Sequence, residues 1–304
     1  MSGEIQVTRK LLLRVRKWHA EWVVNPTLRE VHLDESTATF NAYLDRGEEV
    51  AHLRSSCESL HFWHLVHFGH GLLSEQRADA SDFALAARYA RTAIEFSQAF
   101  ANRDRGGDIV PNNAALYFAM NVLCGWPEEA ALVGNALVKG LDTSMLDLRH
   151  TDRHTAGELY PNLWFLLQLY CNARGLPLDL TKYSYPPDMS PYAEVLADWR
   201  TVDQEKVSRW VVALADFHLK ESKPAPGFES ALFDGEDVIL FPYEILTWLR
   251  LREWAGLENP AEFDHPLMKL PTARLPNPVP LPQPDTPLLD AVVAKFRIEF
   301  PGSF

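Results

Sequence analysis

Residues 111–140 read PNNAALYFAMNVLCGWPEEAALVGNALVKG, a pattern typical of two α-helices separated by a very short break. Gly125 stands where a glycine in the left-handed conformation commonly ends a helix. Pro127 suits the first position of the next helix, and the two glutamates after it place negative charge where the helix dipole favours it. The stretch therefore predicts a compact helical hairpin, with helices over 112–125 and 127–140.

The helical period continues outward from this hairpin in both directions. Val207, Trp210 and Val211 follow the i, i+3, i+4 spacing of a helix with one buried face. Ser81 is a residue type that favours the N-cap, and it precedes another segment with apolar side chains at helical spacing. The other helices predicted on this basis are 8–24, 36–73, 82–101, 156–174, 191–200, 203–220, 238–255 and 286–298.

Alternating β-patterns are nearly absent, and only residues 109–110 and 228–233 are candidates for short strands. The segments 82–101 and 156–174 resemble the hairpin helices in length and in their mix of Ala, Leu and aromatic residues, which hints at stacked helix pairs. No fixed period with matching residues occurs, so a repeat array is not predicted. The sequence predicts an all-α fold in which packed helical hairpins form one compact, repeat-like domain.

Nine prolines fall between residues 259 and 287. Proline removes backbone donors and favours extended chain, yet this segment is also too apolar for a free linker. We expect a proline-rich extended strap that lies against the helical body. The predicted organisation is a single helical domain over 1–304, with the helical body at 1–258, the strap at 259–287, and a closing helix and tail at 288–304.

The 304 residues have a formal net charge of −12. Such a field repels phosphate backbones and attracts basic partners, so direct binding of DNA or RNA is not expected. From residue 184 onwards there are 19 acidic and 11 basic residues, a net of −8. Solubility is the alternative explanation of this acidic balance.

The three cysteines, Cys57, Cys124 and Cys171, form no CxxC motif and lie in apolar surroundings. An odd, sparse count is typical of free thiols in a reducing compartment. The sequence has neither a signal-peptide core nor the roughly 20 consecutive apolar residues that span a bilayer. We therefore expect a cytoplasmic protein that does not associate with membranes.

The segment HFWHLVHFGH places His61, His64, His67 and His70 three residues apart. His61 and His64 would be neighbours on a helix and could share one metal ion. A strict three-residue step turns backwards around the helix, however, so the four imidazoles cannot converge on one ion. We interpret them as polar side chains that pack in an aromatic-rich helix, and we predict no metal and no other cofactor.

Motifs for nucleophilic catalysis and for nucleotide binding are absent, since the chain contains no GxSxG, no GxxxxGK[ST], no GxGxxG and no HExxH. A second histidine pair, His150 and His154 in RHTDRH, lies at a junction of mixed charge where surface polarity or a helix cap explains it. The sequence therefore predicts a binding protein and not an enzyme. The alternative from another class is a helical metal-dependent enzyme that uses His61 and His64.

An acidic loop precedes the predicted helix at 238–255. Acidic groups around aromatic rings suit a surface that captures a basic protein, because charge speeds encounter and rings supply buried contact. A solvated loop with buried aromatic residues is the other interpretation. The residues predicted to bind a partner are Glu229, Phe233, Asp234, Glu236 and Asp237.

Residues 241–271 read FPYEILTWLRLREWAGLENPAEFDHPLMKLP, an apolar helix with an internal arginine pair and a closing glycine, followed by an extended segment. Together with the helical stretch ALAARYARTAIEFSQAFANRDR at 84–105, this pattern resembles the immunity protein 49 family of bacterial polymorphic toxin systems. The immunity proteins of PoNe-type DNase toxins have a similarly organised helical chain and remain an alternative.

The resemblance implies an all-helical, cytoplasmic, non-enzymatic protein that is encoded beside a secreted toxin and protects the producing cell by binding it. The expected partner is the cognate toxin, basic in charge, with a nuclease as one expected class. The resemblance provides no defining site motif, so it transfers no site residue to this chain. A helical-repeat scaffold that holds peptides is a further alternative.

Overall fold

The computed structural model describes residues 2–75, 80–103, 107–149, 156–223, 231–274, 276 and 279–301, except for the side chains of 2–8, 75 and 156. Helices dominate this part of the chain, which confirms the predicted all-α fold. No β-strand forms among the described residues, and Arg149 and Tyr183 make an isolated bridge there. The candidate strand at 109–110 is therefore wrong. In the candidate segment 228–233, residues 231–233 form no strand and residues 228–230 lie outside the described residues.

The α-helices follow one another along the chain with short 3-10 or π-helical turns between some of them. Their bounds are α1 (Ser2–Val23), α2 (Pro26–Arg29), α3 (Glu35–Arg46), α4 (Leu53–His70), α5 (Ser81–Ala101), α6 (Pro111–Leu123), α7 (Pro127–Gly140), α8 (Pro161–Arg174), α9 (Tyr192–Ala197), α10 (Gln204–Lys220), α11 (Tyr243–Trp254) and α12 (Pro287–Glu299).

The prediction of one continuous helix over 36–73 is wrong, because the chain turns between α3 and α4. Gly47 has a φ of 71° and Glu49 a φ of 62°, so two left-handed residues reverse the chain within three positions. Prolines explain why two helices begin later than predicted. Pro161 is the first residue of α8, and Pro242 precedes α11. Ser81 is also not the N-cap of α5, since Ala80 occupies that position.

The core forms around α6, which packs against α5, α7, α8 and α11, with α4 lying along α5. Alanines on α5, including Ala86, Ala87, Ala90 and Ala93, are fully buried and let neighbouring helices approach closely. The hairpin of α6 and α7 turns at Gly125, whose φ is 74°, as its sequence predicts. One connected set of buried apolar side chains extends from Val15 on α1 to Phe296 on α12.

The described part of the strap, at 259–274, 276 and 279–286, contains no α-helix and has short 3-10 turns at Leu267–Lys269 and Pro271–Ala273. Two hydrogen bonds fix it to the α6–α7 turn: Leu281 N donates to Cys124 O at 2.8 Å, and Trp126 Nε1 donates to Leu281 O at 2.8 Å. After the strap, α12 packs on α3. The expected extended strap against the helical body is therefore present.

No helix among the described residues combines the length and the apolar character that crossing a membrane requires.

Candidate functional site

A groove of about 1080 Å³ lies between the C-terminal end of α11 and the segment 256–274. Leu246 and Leu249 line it from α11, and Phe263 and Met268 line it from the strap. Leu246, Leu249 and Met268 are buried and Phe263 is half-buried, so Phe263 is the most accessible of these apolar side chains.

Three glutamates line the groove beside these apolar side chains. Glu253 Oε2 accepts a hydrogen bond from Arg250 Nη1 at 2.5 Å, so an internal partner already neutralises its charge. Glu258 and Glu262 are exposed and form no ion pair with any residue that the structure describes. These two carboxylates are therefore available to a partner.

The groove also has two basic residues, Lys269 and Arg274. Lys269 Nζ lies 2.6 Å from Asp264 Oδ1 in an ion pair. Arg274 is exposed and has no ion-pair partner in the described part of the chain. The unpaired charges along the groove are two negative and one positive, which leaves it weakly acidic.

Arg252 holds the two walls of the groove together from within the protein, where its side chain is 0% exposed. Nη1 donates to the carbonyl oxygens of Trp199 and Thr201 at 3.1 and 2.8 Å. Nη2 donates to Glu258 O at 3.0 Å, and Nε donates to Asn259 Oδ1 at 2.9 Å. The guanidinium thus fixes the start of the strap against α11.

Arg250 performs a similar role two residues before Arg252 on α11. Its Nη2 donates to the carbonyl oxygen of Pro276 at 2.9 Å, so a second point of the strap is attached to α11. Burial lowers the pKa of Arg250, and the charge of Glu253 opposes that shift. The arginine pair in the sequence is therefore an internal clamp, and neither guanidinium lines the groove.

The predicted partner-binding residues fall in different environments. Glu229 lies outside the described residues. Phe233 is 0% exposed, and its ring stacks on the buried imidazole of His218 with 4.1 Å between centroids. Phe233 is thus a core residue in this structure and not a surface anchor, because no part of the ring reaches solvent.

The other three predicted residues occupy one turn before α11. Asp234 is exposed, and its Oδ2 accepts a hydrogen bond from Ala231 N at 3.2 Å. Glu236 Oε1 lies 3.1 Å from Arg14 Nε on α1, so this carboxylate already has a cationic partner. Asp237 is half-buried, and burial raises its pKa to about 6.

The histidines of α4 point to different partners. His61 Nδ1 contacts Ala86 O at 3.1 Å, and His64 Nδ1 contacts Asp82 Oδ1 at 2.8 Å. His67 packs against a tryptophan of its own helix, with 4.4 Å between ring centroids. Among the described residues, no three His, Cys, Asp or Glu side chains lie close enough to hold one metal ion.

The second histidine pair, His150 and His154, lies outside the described residues.

The burial of two histidines predicts that acid destabilises the fold between about pH 6.5 and pH 4. Burial lowers the pKa of His19 and of His61 to about 4, from the ordinary histidine value of 6.5. In this interval the unfolded chain binds protons that the folded chain does not bind. The stabilising contribution of the two buried, neutral histidines is therefore complete above pH 6.5 and is lost as the pH falls through about 4.

We expect each histidine to account for about 2–3 kcal/mol of the free energy of unfolding lost between pH 7 and pH 4.5. Asp237 acts in the opposite sense, because its raised pKa favours the folded state at low pH. Urea denaturation of the wild-type protein and of His61→Gln at both pH values measures the difference. An equal pH dependence in the two proteins would contradict the assignment to His61.

A buried polar pair that the sequence did not predict lies beneath the acidic turn. His218 Nδ1 is 2.8 Å from Glu244 Oε1, and His218 Nε2 is 3.2 Å from Ile239 O. The carbonyl only accepts, so Nε2 carries a proton. The bond to Glu244 then contains one further proton, on either the nitrogen or the oxygen.

Comparison of the chain with protein-family models, with curated proteins and with solved structures gave no match. The groove, the acidic turn and the histidine helix are therefore interpreted from their own geometry and charge. Glu258 and Glu262 were missed at the level of sequence. The signal that could have located them is the run of acidic residues around the first prolines of the strap, at 253–264.

Proposed function

We propose that this chain is an immunity-type protein that binds a basic, toxic partner protein and occludes its working surface. The observation that carries the proposal is the groove between α11 and the strap, with its apolar lining and the unpaired acids Glu258 and Glu262. Apolar lining supplies buried contact, and surrounding charge steers encounter and fixes register. The net charge of −12 and the resemblance to immunity proteins support the same function.

The proposed surface extends from the groove to the acidic turn. Leu240 O accepts a hydrogen bond from Thr272 Oγ1 at 2.5 Å, and Ala273 lines the groove. The turn and the groove are therefore adjacent through the strap. Asp234 and Asp237 provide further negative charge within this turn, and Phe233 remains in the core.

Inhibition by this surface requires no bond to be made or broken. A basic cleft that binds a polyanion is complementary to an acidic, preformed face, so binding competes directly with the substrate of the toxin. Preformed elements lose little conformational entropy on association, and the two arginine clamps keep the strap ordered. Association should consequently slow as salt screens the charges.

Charge reversal in the groove tests the proposal. We expect Glu258→Lys with Glu262→Lys to weaken binding of the protein encoded by the adjacent gene by about tenfold or more, mainly through slower association. The matched control is Glu30→Lys with Glu35→Lys, which makes the same charge change at exposed positions on the N-terminal helices. Surface plasmon resonance at low and at moderate salt measures both rates.

Equal weakening by the groove variant and by the control variant would place the interface elsewhere. A neighbouring gene product that never co-purifies with the wild-type chain, or that stays toxic in its presence, would exclude the immunity function. An unrelated basic protein serves as the specificity control, since general attraction between opposite charges would capture it equally well.

A further inference from the structure

A second, smaller concavity lies on a different face of α11 from the groove. It has a volume of about 230 Å³ and forms between α7, the end of α8 and the C-terminal turn of α11. Aromatic rings make up much of its lining, with Tyr170, Trp199 and Trp254 among them. Trp254 is 40% exposed although it is a large apolar ring, so the mouth of this pocket presents an indole to solvent.

The aromatic wall is rigid. Tyr170 Oη donates to Asn135 Oδ1 at 2.8 Å, which fixes the ring against α7. Gly134 lies directly beneath the ring, and a Cβ at that position would come within 2.6 Å of it. The Tyr170 side chain is therefore held in one conformation, as a preformed binding site requires.

Two arginines, Arg174 and Arg200, line the same pocket, and both are exposed. The Arg200 guanidinium lies over the Trp199 ring at 4.6 Å from its centroid. Within the described residues, neither guanidinium has a carboxylate partner. Other arginines of this chain, such as Arg54, do form ion pairs.

We propose that this pocket binds a small carboxylic acid that carries one aromatic ring. The ring would pack against Trp254 and Tyr170, and the carboxylate would accept paired hydrogen bonds from the planar guanidinium groups. The volume of about 230 Å³ is below the range typical of drug-sized ligands, so one ring with a short acidic arm is the fitting size. This site is independent of the proposed toxin-binding groove.

Calorimetric titration with 3-phenylpropionate tests the proposal on the full chain. We expect saturable binding with a dissociation constant on the order of 1 mM, given the small number of ligand atoms. The neutral 3-phenylpropanol and the ring-free acetate should each bind at least about tenfold more weakly, because each lacks one of the two recognised groups.

The double variant Arg174→Gln with Arg200→Gln should lose about tenfold or more in affinity for 3-phenylpropionate. Both side chains are exposed, so the fold should be retained, and circular dichroism checks this. Arg209→Gln is the matched control, since Arg209 is also an exposed arginine but lines a different concavity.

A tripeptide, Ala-Ala-Phe, identifies the source of the acid. If the tripeptide binds as tightly as 3-phenylpropionate, the site is supported with a peptide C-terminus as its ligand. If 3-phenylpropionate binds and the tripeptide does not, the site is supported with a free small acid as its ligand. Absence of saturable binding of 3-phenylpropionate, equal binding of the neutral alcohol, or unchanged affinity in the double arginine variant would each overturn the proposal.

Discussion

Replacing Arg252 with methionine is expected to lower the free energy of unfolding by about 3–5 kcal/mol. The methionine leaves Thr201 O and Asn259 Oδ1 without the Arg252 donors that now satisfy them. The carbonyl oxygens of Trp199 and Glu258 lose one of their two donors and keep Trp248 Nε1 and Gln204 Nε2. Each unsatisfied buried acceptor costs about 1–3 kcal/mol, and the thioether fills only part of the space. For a chain of this size we expect a fall in Tm on the order of 10 °C.

Arg252→Lys should recover little of this loss, because an ammonium group cannot reproduce the planar fork that reaches several acceptors at once. Arg209→Gln, at an exposed position, provides the control and should change stability by less than about 0.5 kcal/mol. Hydrogen exchange around 256–262 should also accelerate in Arg252→Met. A variant with wild-type stability and wild-type exchange in this segment would show that the clamp is dispensable.

Glu244→Leu is the second substitution with a large expected effect, a loss of about 3 kcal/mol in the free energy of unfolding. Glu244 and His218 are both 0% exposed, and leucine provides no group that can share the proton of the bond between them. His218 Nδ1 would then stay buried without a partner, while Phe233 still stacks on the ring. Chemical denaturation at pH 7 measures the loss.

Glu244→Gln is the informative comparison, because its amide N–H can donate to His218 Nδ1 in nearly the same volume. We expect this variant to lose about 1 kcal/mol, well under half of the loss in Glu244→Leu. If the two variants were equally destabilised, the contribution of residue 244 would lie in its charge. If both retained wild-type stability, the pair would contribute nothing to the fold.

The helical architecture could be predicted from sequence where local signals agreed. Between 111 and 140, apolar spacing, Gly125 and Pro127 all indicate the same break, and the structure has it there. Over 36–73, apolar residues at helical spacing on both sides of Gly47 led to the prediction of one continuous helix, although the glycine was a signal for the turn that the structure has there. Helical spacing reports which residues are buried, but it does not report whether a helix is interrupted between two buried stretches.

The site was harder to predict because its residues depend on tertiary contacts. Phe233 looked like a surface anchor beside acidic residues, but its burial depends on how the chain folds back onto His218 of the preceding helix, α10. The arginine pair at 250 and 252 gave no sign of its role, since most of its acceptors are backbone carbonyls that any residue provides. A cluster of acidic residues in the sequence was therefore enough to identify the acidic turn. It was not enough to identify the adjacent groove, which combines residues of α11 and the strap.

The contact between α3 and α12 has a consequence for synthesis on the ribosome. Tyr43 Oη donates to Glu299 Oε2, a residue 256 positions later in the chain. At typical elongation rates of about 5–20 residues per second, α3 waits on the order of 10 to 50 s before α12 is translated. During that delay Phe96 of α5, which packs on Phe296, lacks its covering ring, so the nascent chain exposes an apolar surface that chaperones recognise.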